Sequence, residues 1–215
     1  MGKLAMLVAI AVLGHAAPAA AQTADFSVGS ARFTMPLPAG FCLPATAKQI
    51  ASAEEMAAFD TDNRTDLTIY TCGDAPGSPY YIVKTPTNLV DTPMTRAQLL
   101  ALLRPEFARR GTADILIGDT DKEMGEAISR DLGTAVELSS AVGPRGIDDV
   151  CAYIGGTMKV SVGAGREAYI TLGACMTAVN GRVLVINHYA RGNDPETLKQ
   201  VLARARAVAL TITAK

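Results

Sequence analysis

Hydrophobic positions along the chain follow two periods, two residues in some stretches and three to four in others. From Asp25 to Leu37, Phe26 and Val28, then Ala31, Phe33, Met35 and Leu37, interleave with polar positions such as Arg32 and Thr34. That period belongs to a strand with one buried face, and Gly29-Ser30 supplies a turn, so the segment predicts an N-terminal β-hairpin. Pro36, Pro38 and Gly40 end it before Phe41-Cys42. Residues 67–72 alternate again and predict a strand, as do residues 80–84. Asp60 to Asp66 reads as a polar loop, and residues 73–79 as a turn-rich one. The last third is the most regular. Residues 150–154, 158–162 and 166–179 predict consecutive strands separated by glycine-rich turns. Asn180-Gly181, a strong hairpin signal, joins the third to residues 182–190.

Three stretches carry helical signals. Ser52 followed by Glu55 has capping-box spacing and predicts a short helix through about Phe59. Thr95 with Gln98 marks a second start, with Leu99, Leu100, Leu102 and Leu103 as its apolar face. Pro105 is expected to kink or end that helix, and Gly111 to close the segment. Asp194 as N-cap and Pro195 at the first helical position open the last helix. Its Leu198, Val201, Leu202, Ala205 and Val208 make one apolar face, while Glu196, Lys199, Gln200 and Arg204 point elsewhere. Residues 210–213 then read as a short edge strand. Between 112 and 149 the pattern is weakest, with residues 115–117 as a short strand and 123–132 as a helix or an irregular edge. The expected class is α+β, an antiparallel β-sheet flanked by helices.

The start of the chain changes the picture. Lys3, an apolar run over residues 4–13 and the small residues Ala19-Ala20-Ala21 before Gln22 have the layout of a cleavable signal peptide. That run is about half the roughly 20 residues a membrane span needs, and no later run approaches it. The expectation is a signal peptide over 1–21, one globular α/β domain over 22–215, and a periplasmic or secreted location. The remaining 194 residues carry 19 basic and 21 acidic side chains. So slight a negative balance offers no basic field for nucleic acid or an anionic membrane.

All four cysteines, Cys42, Cys72, Cys151 and Cys175, follow the leader, and an even count in an exported chain predicts two disulfides. Three pairings are possible. Cys42–Cys72 with Cys151–Cys175 is favoured because each closes a loop within one local unit. No Cys-x-x-Cys pair suggests thiol chemistry or a metal site.

Candidate chemistry is sparse. His188 is the one histidine beyond the leader, so any Ser/His or Cys/His machinery depends on it. It shares a strand face with Leu184 and Ile186, the setting of a boundary histidine with one hydrogen bond. Gly163-Ala164-Gly165 lacks the third glycine and the helix of a dinucleotide fingerprint and predicts a hairpin turn. Asp119, Asp121 and Glu123 begin like a calcium loop, but Met124 stands where the sharp-turn glycine belongs and Arg130 at the twelfth position. Asp60, Asp62 and Asp66 have loop spacing without the later ligands. Asp148, Asp149 and Glu126 are the carboxylates available for acid–base work. Of Tyr80 and Tyr81, strand alternation sends one into the core and leaves at most one for a ligand. No catalytic residue, metal ligand or cofactor is assigned.

The Pro38-Ala39-Gly40-Phe41 turn, and the strand Val183-Leu184-Val185-Ile186-Asn187-His188-Tyr189 leading to an Asp194-capped helix, resemble the PsbP/Mog1/DcrB group of α/β/α sandwiches over about residues 25–213. The resemblance implies that fold and a non-enzymatic binding or assembly role, some members being exported. It implies no catalytic residue here, and the four cysteines depart from the group's pattern. The first functional expectation is an exported module binding a protein or small ligand in the cell envelope, through an open sheet face or the loops at 60–66, 73–79 and 112–149. An envelope stress or structural factor acting by association is a related expectation. The alternative is an extracytoplasmic hydrolase using Asp148, Asp149 or Glu126. A cavity gathering carboxylates or His188 would favour the hydrolase, an apolar one the binding module.

Overall fold

The computed structural model describes residues 22–73, 77–110, 121–122, 125–126, 129–130, 133–163 and 165–215. Residues 1–21, where a signal peptide is expected, Gly111 and residues 115–117 lie outside them. Alternation at the N-terminus produces the hairpin: β1 (Thr23–Val28) pairs antiparallel with β2 (Ala31–Pro36) about Gly29-Ser30. Ala24, Phe26, Val28, Phe33 and Met35 all point inward. The remaining strands are β3 (Phe41–Cys42), β4 (Asn63–Thr71), β5 (Tyr80–Pro86), β6 (Val136–Ile147), β7 (Ala152–Val162), β8 (Arg166–Val179), β9 (Arg182–Arg191) and β10 (Thr213–Ala214). Seven of these eight form the large sheet, in the order β3-β4-β5-β9-β8-β7-β6, and β10 joins β1-β2 in a small sheet. Both are antiparallel throughout.

Helix α1 (Ala47–Phe59) and α2 (Arg96–Arg110) cover one face of the large sheet. Helix α3 (Pro195–Thr211) shares the other with the small sheet, enclosing the main core with Ile69, Tyr81, Val83, Leu184 and Ile186. The fold is thus α+β, an antiparallel sheet between helical layers, tied by Cys42–Cys72 and Cys151–Cys175. No helix of the described residues is long and apolar enough to cross a membrane.

One row of residues across the large sheet places α3. Ile69, Tyr81, His188, Gly173, Gly155 and Gly143 stand side by side on β4, β5, β9, β8, β7 and β6. Its glycine end is a shelf for the helix. A Cβ on Gly173 would stand 2.6 Å from the Leu202 nitrogen and 2.7 Å from the Val201 carbonyl carbon. One on Gly155 would stand 2.9 Å from Leu198 Cδ1. Glycine inside a strand marks such a close approach. Asp194 caps the helix through the Thr197 N–H at 2.9 Å, with Pro195 next, and Val201, Ala205, Val208 and Ala209 are buried.

Several expectations need correction. The first helix begins at Ala47, because Thr46 and Gln49 make the capping box; Ser52 and Glu55 lie inside it. Residues 63–66 belong to β4, not to a loop: only Thr61-Asp62 turns, and a bulge at Thr65/Leu67 absorbs the polar residues. Leu102 is 64% exposed, since Leu99 and Leu103 already fill the helix face toward Ala178 of β8 and Val183 of β9. Pro105 sits within α2, which continues to Arg110; one missing N–H removes one bond from a ladder already nucleated. Residues 152–162 form one strand, because Gly155 and Gly156 lie under neighbouring backbone instead of turning. Residues 150–154, 158–162 and 166–179 put Cys151 and Cys175 on the first and third of three expected strands; with the first two merged, Cys151 immediately precedes β7 and bridges to the adjacent β8. The strand β6, unanticipated, carries Pro144 and a bulge at Pro144/Gly146, features an edge strand tolerates. Described residues at 121–122, 125–126 and 129–130 are helical. At the C-terminus the helix runs through Thr211, leaving only Thr213–Ala214 as strand.

Gly173→Ala is expected to destabilise the protein by about 3 kcal/mol, because α3 backbone cannot yield to the added carbon. Gly40→Ala, with φ of +80° but no atom within 4 Å of the new carbon, is expected to cost about 1 kcal/mol. Urea unfolding of both variants checks the order; equal losses would deny the shelf its role.

Candidate functional site

Where the glycine shelf gives way to large side chains, a cleft of about 360 Å³ opens between α3 and the turn before β3. The turn is closed by the Phe41 N–H donating to the Pro38 carbonyl at 3.0 Å, with Gly40 supplying the positive φ. Two further ties hold it against β4: the Cys72 N–H donates to the Gly40 carbonyl at 2.8 Å, and Cys42 is bonded to Cys72. Leu37 and Phe41 form this wall, Arg204, Ala207 and Val208 the other, and Tyr81 the floor. Phe41 meets Tyr81 edge-on at 4.8 Å, a favoured aromatic geometry.

His188 lies beneath that floor. Its ring stacks on Tyr81 at 4.1 Å and 14°, is 1% exposed, and finds no hydrogen-bond partner at either nitrogen. It is therefore not the boundary histidine expected: the stacked rings seal it more completely than its position near a strand end suggests. Burial, aided by the Arg204 charge and opposed weakly by the Val201 backbone, brings its pKa down to about 4. A neutral imidazole without access to a substrate has no acid–base work to do.

A second concavity, about 300 Å³, lies under α1 on the opposite sheet face. Lys48, Ser52 and Met56 face Tyr70 and Tyr80 across it, with Gly73, Gly77 and Ser78 at its rim, so the 73–79 loop does border a cavity. Tyr80 stacks on Tyr189 at 4.6 Å and 9°, and burial, reinforced by the phenols of Tyr189 and Tyr70, raises its pKa well above that of a free tyrosine. Alternation thus sends the two tyrosines to opposite sheet faces, Tyr81 toward the main core and Tyr80 toward α1, but both border a concavity, so the expectation that at most one is left for a ligand does not hold.

No carboxylate lines either cavity. Asp148 accepts the Val150 and Cys151 N–H groups at 2.8 and 2.7 Å, the Tyr153 hydroxyl at 2.7 Å and Arg206 Nε at 2.8 Å. Partial burial opposes its ionisation, but these donors outweigh it and hold the carboxyl far below the usual range. Asp149 is exposed beside Arg206 at 3.4 Å. Glu126 stays apart from both. Its neighbour Gly125 touches the Val136 end of β6, whereas Asp148 follows the Ile147 end, roughly 35 Å away along the strand. Asp121 is buried and accepts the Ser140 N–H and hydroxyl at 2.7 and 2.6 Å; Asp119, Glu123 and Met124 lie outside the described residues. Asp60 takes Lys84 Nζ at 2.5 Å, Asp62 is exposed, and Asp66 takes Thr85 and Arg64. Burial still leaves the Asp66 carboxyl above its ordinary value. No group of three or more His, Cys, Asp or Glu among the described residues is arranged to hold a metal ion. Gly163 and Gly165 make a hairpin turn with φ of +56° and +89°.

No family model matches the chain, and no curated protein does. Among solved structures it is similar to cyanobacterial PsbP (CyanoP) from Synechocystis sp. PCC 6803, with 13% identity over 94% of this chain and 99% of that one, at a TM-score of 0.37. It is also similar to LpqN, involved in cell envelope biogenesis of Mycobacterium tuberculosis, with 14% identity over 90% and 91% of the two chains, at a TM-score of 0.30. Both have the PsbP/Mog1/DcrB-like fold that the turn and β9 motifs resemble. At those TM-scores the likenesses carry no argument about what this chain does.

A pH dependence follows from His188. Its folded pKa of about 4 lies below the free value of 6.5, so the unfolded chain binds the extra proton between the two. Stability should therefore fall as pH drops from about 6.5 to about 4, and this contribution should level off below that. Between pH 7.5 and 4.5 wild type is expected to lose about 2.5 kcal/mol more than His188→Gln. Parallel unfolding free energies across that range would refute the assignment.

Proposed function

We propose that the chain is an exported, non-enzymatic binding module whose ligand enters the cleft between the Pro38–Phe41 turn and α3. One observation carries this reading: the cleft has aromatic and apolar walls with one arginine, no carboxylate, and the sole histidine beyond the leader sealed below its floor. Pockets of that make-up bind, whereas hydrolysis needs a base or nucleophile that reaches the substrate. Asp148, the best-supported carboxylate of the alternative hydrolase, is committed to four donors and joins Tyr153 to α3. Two disulfides support maturation in an oxidising compartment, and the leader supports export to reach one. Residues 22–215 would be the mature domain.

Two measurements test this. The protein isolated from cells is expected to have the mass of residues 22–215 with both disulfides formed; retention of the leader would remove the export claim. A photo-crosslinking residue at Ala207, in the cleft, should capture a discrete species in the cell envelope, while one at exposed Lys199 should not. Indistinguishable capture at the two positions, or turnover of a chromogenic ester, phosphate or glycoside lost in Asp148→Asn, would overturn the reading.

A further inference from the structure

We propose that the cleft takes a small organic monoacid, its carboxylate held between the Arg204 guanidinium and the Tyr81 hydroxyl and its alkyl or aryl body lying against Leu37, Phe41, Ala207 and Val208. The proposal rests on the binding reading above and supplies its ligand class.

The charges of α3 point to Arg204. Lys199 reaches Glu196 at 3.7 Å, and Arg206 reaches Asp148 at 2.8 Å and Asp149 at 3.4 Å. Arg204, on the same helix and at the cleft, has no ion-pair partner among the described residues. Its charge acts instead on Tyr81 and on His188 beneath it. The second head group is Tyr81, whose hydroxyl makes no hydrogen bond among the described residues although the residue is 2% exposed. Burial keeps its pKa near 12, so it remains a donor at any physiological pH. An uncommitted guanidinium and an uncommitted hydroxyl, with no competing carboxylate on the lining, make a place for one anion.

The rest of the cleft selects what carries the charge. Leu37, Phe41, Ala207 and Val208 would stay unfilled beside an inorganic anion, so the ligand needs an apolar body. At about 360 Å³ the space lies at the small end of the roughly 300–1,000 Å³ range of ligand sites, which suits a short chain or single ring. One guanidinium matches one negative charge.

Calorimetric titration of the oxidised mature protein with octanoate, octanol and a hydrophobic tetrapeptide tests this. Octanoate should bind at least tenfold more tightly than octanol. Arg204→Gln should weaken octanoate about tenfold or more, and Tyr81→Phe several-fold, with octanol unaffected by the arginine change. Unchanged thermal melting of Arg204→Gln, at an exposed position, separates lost binding from lost fold. Equal affinity for octanoate and octanol, octanoate binding indifferent to Arg204→Gln, or a tetrapeptide preferred a hundredfold would each overturn the acid assignment. Those results leave the binding reading standing so long as crosslinking at Ala207 persists, whereas loss of both defeats the two together.

Discussion

The close seating of α3 on Gly173 and Gly155 is the contact from which the rest of the molecule is arranged. A helix normally rests on a sheet through side chains; here its backbone at Val201–Leu202 lies where a Cβ would have to stand. That proximity buries Val201 and tucks Ala205, Val208 and Ala209 into the core shared with the hairpin. It also fixes the direction in which the chain leaves the helix, so that Ile212 is buried and Thr213–Ala214 reach β2.

The same transverse row explains the cleft. Its members are small under the helix and large beyond it, passing from Gly155 and Gly173 through His188 to Tyr81 and Ile69. The aromatic end becomes a floor, and the turn at Pro38–Phe41 stands opposite the helix as a wall. Cys42–Cys72 holds that wall to β4 at the edge of the sheet, while Cys151–Cys175 lies wholly inside the core. One bond thus supports the interior and the other the rim. His188 is the by-product of stacking a ring under Tyr81, and its two unbonded nitrogens make it a liability in acid.

What the concavities contain bears on function more than their size does. Carboxylates are numerous, yet those with strong partners serve the fold: Asp148 ties β7 to α3, Asp121 ties the helical residues after 120 to β6, and Asp66 is buried in the β4 bulge. At the cleft beside α3, the groups left uncommitted among the described residues are Arg204 and the Tyr81 hydroxyl, a pair suited to receiving an anion and unsuited to breaking a bond.

Alternation and capping by themselves determined the N-terminal hairpin, the Asn180-Gly181 hairpin with both φ values positive, and α3 with its cap, because period two, period 3.6 and cap chemistry are local. They also determined that Tyr80 and Tyr81 face opposite ways. The strand over Val136–Ile147 was not legible, since an edge strand with a proline and glycines carries little hydrophobic signal, and neither was the helix start at Thr46, which competes with a second Ser-x-x-Glu spacing. Tertiary structure alone decided that Gly155 and Gly156 continue a strand, that His188 is sealed, and that Arg204 meets a cleft with no acid beside it. Those outcomes depend on which backbone and which side chains arrive from distant parts of the chain, information that no local pattern holds.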